Sequence, residues 1–437
     1  MAGFPPDFTW GVAASAYQVE GAASEDGRTP SVWDTFARAA GTTADGSNGD
    51  VACDHYHRFA EDVALMADLG IDSYRLSVSW SRVVPDASGR PNPAGLDFYD
   101  RLLDCLADNG ISPAVNLFHW DLPQWSQDAG GWRERDTVER FADYAQIVAA
   151  RLGDRVGTWS TINEMFEHFA LGHVTGEHAP GLTLPLDEAA GVVHHLLLAG
   201  GRAAQVLRER GRLMGITSYA PARPHTGSDA DRDAAALYDV LQNRLFTDPV
   251  LLGRYPAELE PLVEPFVEEG DLAVIHTPPD LWGVNYYSIN SVRAAEGPVP
   301  LEVLAPQGYP RTAFGWAVAP EGLTEVLTTL HERYAEHLPP LVITENGCAY
   351  DDTVDAEGRC DDLERVVYLD EHLAAVRAAM NAGVDVRGYY VWSLLDNFEW
   401  AEGHTKRFGL VHVDYATQRR TPKTSFGWYR DRIAASR

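Results

Sequence analysis

Leu341-Val342-Ile343-Thr344-Glu345-Asn346-Gly347 is an apolar, β-branched run that ends abruptly in a carboxylate and an Asn-Gly turn. It reads as a buried strand that delivers a charged tip. Burying a charge is costly, so a tip of this kind is explained by a site that needs it. Thr161-Ile162-Asn163-Glu164 repeats the pattern. Two strand-end carboxylates point to one site that uses both, and cleavage of a glycosidic bond is the chemistry that most often needs such a pair.

Working outward, eight short segments read as strands: Phe8 to Ala13, Ser73 to Ser79, Ser112 to Phe118, Val156 to Ile162, Leu213 to Tyr219, Leu281 to Tyr286, Leu341 to Glu345 and Val386 to Ser393. Several are apolar on both faces, as parallel strands covered by helices are. Helical spacing lies between them. Phe59, Val63, Met66 and Gly70 share one face, as do Phe141, Ala145, Val148 and Leu152, and Val366, Leu369, Leu373 and Val376. Gly70, Gly153 and Gly383 are placed to end helices in a left-handed conformation. Strand–helix alternation repeated eight times predicts an α/β fold, a single (β/α)8 TIM barrel, with the active site at the C-terminal ends of the strands. No linker or low-complexity block interrupts the chain, so residues 1–437 read as one domain.

The 437 residues are 45% hydrophobic and carry a formal net charge of −29. Nucleic acid and anionic membranes need basic surface, so neither is an expected partner. Only Lys406 and Lys423 are lysines. The first residues, Met1-Ala2-Gly3-Phe4-Pro5-Pro6-Asp7, lack the basic and apolar regions of a signal peptide, and no run approaches the roughly 18 apolar residues of a membrane helix. A cytoplasmic location is expected, with Cys53, Cys105, Cys348 and Cys360 as free thiols. His55-Tyr56-His57 and His194-His195 invite a metal reading, but neither has metalloprotease spacing, so structural or surface roles are expected and neither metal nor cofactor is.

A resemblance rests on ordered motifs from about Phe8 to Trp428. They are Phe8-x-Trp10-Gly11, Ser15-Ala16-Tyr17-Gln18-x-Glu20-Gly21, Tyr74-Arg75-Leu76-Ser77-x-Ser79-Trp80, Phe118-His119-Trp120-Asp121-Leu122-Pro123, Thr161-x-Asn163-Glu164, Asn285-Tyr286-Tyr287, Ile343-Thr344-Glu345-Asn346-Gly347 and Trp392-Ser393-Leu394-Leu395-Asp396-Asn397-Phe398-Glu399-Trp400. Together they resemble glycoside hydrolase family 1, the β-glucosidases and their relatives. The resemblance implies Glu164 as general acid/base and Glu345 as nucleophile of a retaining β-glucosidase acting on a small β-glycoside. It implies Arg75, Asn163 and Tyr287 as supporting residues. It implies Gln18, His119, Trp120, Asn285, Glu399, Trp400 and Phe408 as substrate-binding, and Trp392 as the platform under the sugar ring.

Three positions depart from the family pattern: Met165 replaces a usual proline, Ser218 a frequent asparagine and His404 a usual tyrosine. The first two bear on the leaving group. Two alternatives stay open. A 6-phospho-β-glycosidase needs a cationic, hydroxyl-rich cradle, which Glu399 and Glu402 would oppose. A non-catalytic sugar-binding barrel would lack one of the two glutamates. Epimer preference, leaving-group length and oligomeric state are not legible.

Overall fold

The computed structural model describes residues 3–437. Eight parallel strands close into a barrel. In chain order they are β1 (Thr9–Ala13), β2 (Ser73–Ser77), β3 (Ser112–Phe118), β4 (Thr158–Ile162), β5 (Arg212–Ser218), β6 (Leu281–Asn285), β7 (Leu341–Asn346) and β8 (Val386–Trp392). Each pairs with its neighbour in sequence, and β8 returns to β1 with Thr9 opposite Gly388 and Ala13 opposite Trp392. Sequential order follows from the connections, because each strand–helix crossover returns the chain beside the strand it left.

The predicted strands are all present, with ends moved by one or two residues. β2 stops at Ser77 because Ser79 already caps the short helix Trp80–Val83. The long helices pack outside the barrel: α1 (His55–Leu69), α2 (Pro93–Asp108), α3 (Asp136–Leu152), α4 (Leu186–Leu207), α5 (Asp229–Asp239), α6 (Pro320–Tyr334), α7 (Leu363–Asn381) and α8 (Thr424–Ser436). Most of the predicted faces point inward: Val63, Met66, Phe141, Ala145, Val148, Leu152, Leu369, Leu373 and Val376 are buried, whereas Phe59 and Val366 are only partly covered. Complete burial of side chains this size contributes about 1.5–3 kcal/mol each.

Gly70 and Gly383 take the expected left-handed conformation, with φ of 76° and 98°. Gly153 does not: its φ is −64°. Close approach is the reason for that glycine, since a Cβ there would sit 2.4 Å from the carbonyl oxygen of Ala149.

Two small sheets decorate the strand ends. One pairs Val411–Asp414 with Arg419–Pro422, and the other joins Ala222–Pro224, Asn290–Ala294 and Leu301–Leu304. The four cysteines are free. Among the described residues no helix is long and apolar enough to cross a membrane.

Candidate active site

Glu164 lies two residues past the end of β4, and Glu345 is the penultimate residue of β7. Both enter a cleft of about 470 Å³ at the C-terminal mouth of the barrel. The strand is only half of what aims them. Glu164 has φ of 44°, a left-handed conformation that is rare outside glycine, and Trp120 and Trp400 share that feature at 75° and 49°. Each such residue costs of order 1–3 kcal/mol and persists where surrounding contacts over-determine it. At the end of β7, Gly347 has no room for a side chain: a Cβ would stand 1.8 Å from the carbonyl oxygen of Trp392. The ends of β7 and β8 therefore meet, and Glu345 and Trp392 enter the same cleft.

The two carboxylates are held by different chemistry. Glu345 accepts a hydrogen bond from the Arg75 guanidinium on Oε1 and one of 2.6 Å from the Tyr287 hydroxyl on Oε2. Glu164 receives only amides, 2.9 Å from Asn285 Nδ2 and 3.4 Å from Asn163 Nδ2. Arg75 also donates to Asn163 Oδ1 at 2.6 Å, and Asn285 does so at 3.2 Å, so one network ties both carboxylates to β2, β4 and β6. Thr344 fixes Asn285 in turn, donating to its Oδ1 at 2.7 Å. Burial pushes the Glu164 carboxyl well above the usual carboxylate range, and the negative charge of Glu345 adds to that push, then that of Glu167. Burial also keeps His119 neutral, with Arg75 reinforcing it, and keeps Tyr287 a phenol.

His119, Trp120, Asn285, Tyr287, Trp392, Glu399, Trp400 and Phe408 line the cleft beside the two glutamates. Trp120 donates from Nε1 to the carbonyl of Asn163 at 2.9 Å, and His119 stacks near-parallel to Trp392 and Trp400 with centroids 5.8 and 5.9 Å away. Arg75, Asn163 and Gln18 are all but fully buried. Gln18 donates to Phe398 O at 2.9 Å, to Asn397 Oδ1 at 3.2 Å and to Glu399 Oε2 at 3.4 Å, which anchors the loop after β8. Burial and the charge of Glu345 raise the Glu399 carboxyl to about 8, against hydrogen bonds from Trp392 and Gln18. Lys406 sits 3.5 Å from Glu402 and donates to the carbonyl of Ala313 at 3.1 Å, so it is committed there.

Sequence reasoning missed Glu167, Gln242, Phe314 and Trp316, which also line the cleft. Glu167 carried a signal, a second carboxylate three residues after the first. Phe314-Gly315-Trp316 carried a weaker one, two aromatics flanking a glycine. Gln242 carried none. Of the predicted departures, Ser218 lines the cleft, whereas Met165, the first residue of the helix that follows Glu164, is buried beside Gly200.

Among the described residues no group of three or more His, Cys, Asp or Glu is arranged to hold a metal ion. The paired histidines are committed elsewhere. His55 bonds Asp62 at 2.7 Å, His194 bonds Tyr255 and Asp271 at 2.9 Å each, and His195 bonds the carbonyl of Trp132 at 2.9 Å.

The whole chain, residues 1–437, matches the family described as glycosyl hydrolase family 1. The chain belongs to that family. It is 48% identical to the thermostable β-glucosidase B of Thermobispora bispora, covering 98% of this chain and 90% of that one. It is 46% identical to a bifunctional β-D-glucosidase/β-D-fucosidase of Bifidobacterium breve, covering 99% and 98%. Among solved structures it resembles the β-glucosidase of Thermotoga maritima in complex with glucoimidazole, with a TM-score of 0.95, 40% identity and 99% coverage of both chains. Family 1 membership makes the protein a glycoside hydrolase.

Proposed function

We propose that the protein is a retaining β-glucosidase that removes terminal β-D-glucosyl residues from short β-glucosides such as cellobiose, and that residues 1–437 act as one catalytic domain. The observation that carries the reading is the unequal support of the two carboxylates: a guanidinium and a phenol on Glu345, neutral amides on Glu164. Positive charge and a strong donor stabilise an anion, which suits a nucleophile. Burial beside a like charge favours the protonated form, which suits an acid.

In this reading Glu164 gives its proton to the glycosidic oxygen while a Glu345 oxygen attacks the anomeric carbon from the opposite face. The C–O bond to the leaving group breaks, and a covalent glycosyl ester forms on Glu345. Glu164, now ionised, takes a proton from water as that water attacks the same carbon and frees Glu345. Asn163 holds the 2-hydroxyl, where hydrogen bonds strengthen in the transition state. Gln18, His119, Glu399 and Trp400 engage the other hydroxyls of the sugar, Trp392 supports its ring, and Trp120, Asn285 and Phe408 complete the pocket.

The β-glucosidase names of the relatives support the sugar assignment, and the four free thiols fit a reducing, cytoplasmic setting. A panel of nitrophenyl β-glycosides read by kcat/KM tests the assignment. The β-glucoside should be among the best substrates and the β-glucose anomer should appear first by NMR. An α-anomer appearing first, or no turnover of any β-glycoside, would overturn the reading.

A further inference from the structure

Glu345 is aimed at a point where the sheet has stopped guiding the chain. On one side of β7 the pairing with β6 slips between Ile343 and Glu345, and on the other the pairing with β8 slips between Ile343 and Asn346. Slips of this kind interrupt the regular ladder and re-aim side chains. Tyr287, which donates to Glu345 Oε2, lies two residues beyond the end of β6, outside the ladder. The alignment of this phenol with this carboxylate therefore has to come from elsewhere.

Asn346 supplies it. The residue is fully buried and stands outside the cleft lining. Its Nδ2 donates to the carbonyl of Tyr286 at 2.6 Å and to the Tyr368 hydroxyl at 3.1 Å, and its Oδ1 accepts from the Tyr389 hydroxyl. The Tyr368 hydroxyl passes the constraint on, donating to the carbonyl of Tyr287 at 3.3 Å. The backbone N–H of Tyr286 donates to the carbonyl of Glu345 at 3.0 Å. Two successive carbonyls beside the phenol are thus tied to the residue that follows the nucleophile. An asparagine suits this place because its amide offers two donors and an acceptor together. An aspartate would set an acceptor against the Tyr286 carbonyl. Tyr389 comes from β8 and Tyr368 from α7, where its ring stacks on His372 with centroids 3.8 Å apart.

We propose that Asn346 and Tyr368 are positioning residues for the reaction: neither touches the sugar, and both act by fixing Tyr287 against Glu345. The proposal rests on the retaining reading above, in which a Glu345 oxygen attacks the anomeric carbon. A displacement of about 1 Å in a reacting group costs about a hundredfold in rate. The hydroxyl contacts of the sugar are made by other side chains, so rate and sugar binding should separate.

The test reads kcat/KM for p-nitrophenyl β-glucoside and the inhibition constant of glucose. The proteins are the wild type, Tyr368→Phe, Asn346→Ala, Tyr287→Phe, and the double variant that adds Tyr368→Phe to Tyr287→Phe. Tyr368→Phe keeps the ring on His372 and removes one hydroxyl, so it decides the question even where Asn346→Ala fails to fold. It should lower kcat/KM about tenfold, and Asn346→Ala about a hundredfold, while glucose inhibition stays within about twofold. Once residue 287 lacks its hydroxyl there is no phenol left to place. Adding Tyr368→Phe to Tyr287→Phe should then cost less than about threefold more. Three outcomes overturn the proposal while the β-glucosidase reading stands: Tyr368→Phe within about twofold of the wild type, the same loss of about tenfold in the Tyr287→Phe background, or glucose inhibition weakened as much as turnover. A wild type that does not cleave the glucoside overturns the reading and the proposal with it.

Discussion

Arg75 and Glu345 form an ion pair across the barrel mouth, with side chains only 1% and 4% exposed. Arg75 comes from β2 and Glu345 from β7, 270 residues apart in sequence. Removing one member of a buried pair leaves the other uncompensated, at a cost of about 3–5 kcal/mol. Part of that cost falls on the reaction, because Arg75 also holds Asn163. Arg75→Met is expected to lower kcat/KM for p-nitrophenyl β-glucoside at least about a hundredfold, with the barrel intact by circular dichroism. A loss under tenfold would remove Arg75 from the machinery.

The charge of Glu345 is among the causes that raise the Glu164 carboxyl. Esterifying Glu345 removes that charge. In an enzyme trapped with a 2-fluoro-glucosyl group, the Glu164 resonance followed by ¹³C NMR should therefore titrate at lower pH than in the free enzyme. Acid function needs protonated Glu164, so kcat/KM should fall on the alkaline side as that group loses its proton. An unchanged or higher titration in the trapped form would remove the coupling.

Asp121 is buried and, among the described residues, neither of its oxygens has a hydrogen-bonding partner. Burial pushes its carboxyl up to about 8, opposed by Arg28 and aided by Glu20. Because the folded value lies above the unfolded one near 3.8, its contribution is present below about pH 4 and is lost as pH rises toward 8. Asp121→Asn should raise Tm by a few degrees at pH 8 and leave it nearly unchanged at pH 4. The opposite pH trend would contradict this account.

The loop that carries Glu399 rests on a buried charge network. Lys423 donates to Asp352 at 2.6 Å and to Asp396 at 2.7 Å, Arg365 donates to Asp352 at 2.6 Å, and Arg407 donates to Asp396 at 2.8 Å. Lys423 and Asp396 are fully enclosed. Lys423→Met should cost about 3–5 kcal/mol in denaturant unfolding. It should also raise KM, because Asn397 directly follows Asp396 and Glu399 comes three residues after it. A loss below about 1 kcal/mol would make the network dispensable.

Much of this architecture was legible in the chain. Strands such as Leu341–Asn346 open on a short apolar run and are buried throughout, and Glu164 and Glu345 stood out because a carboxylate ending an apolar run has a cost that demands a reason. What escaped reading depends on contacts between distant segments. Gln242 and Ser218 meet Glu167 only because β5 and the segment after α5 fold over β4. The role of Gly153 is set by a neighbouring carbonyl rather than by handedness. The cis peptide between Trp392 and Ser393 leaves no mark in the order of residues. The placement of Gln18 behind Glu399 likewise follows from a hydrogen bond spanning 381 residues.

The unequal roles of Glu164 and Glu345 are tested most directly by azide rescue, with product stereochemistry read by NMR. Glu345→Gly removes the attacking group and keeps the acid, so azide enters from the vacated face and an activated β-glucoside gives the α-glucosyl azide. Glu164→Ala keeps the nucleophile, so an activated substrate still forms the ester, and azide entering from the other face gives the β-glucosyl azide. Loss of the proton donor should slow substrates with poor leaving groups by about 10²–10⁴. Each variant yielding the opposite anomer would exchange the two assignments, and wild-type rates in both variants would place the site elsewhere.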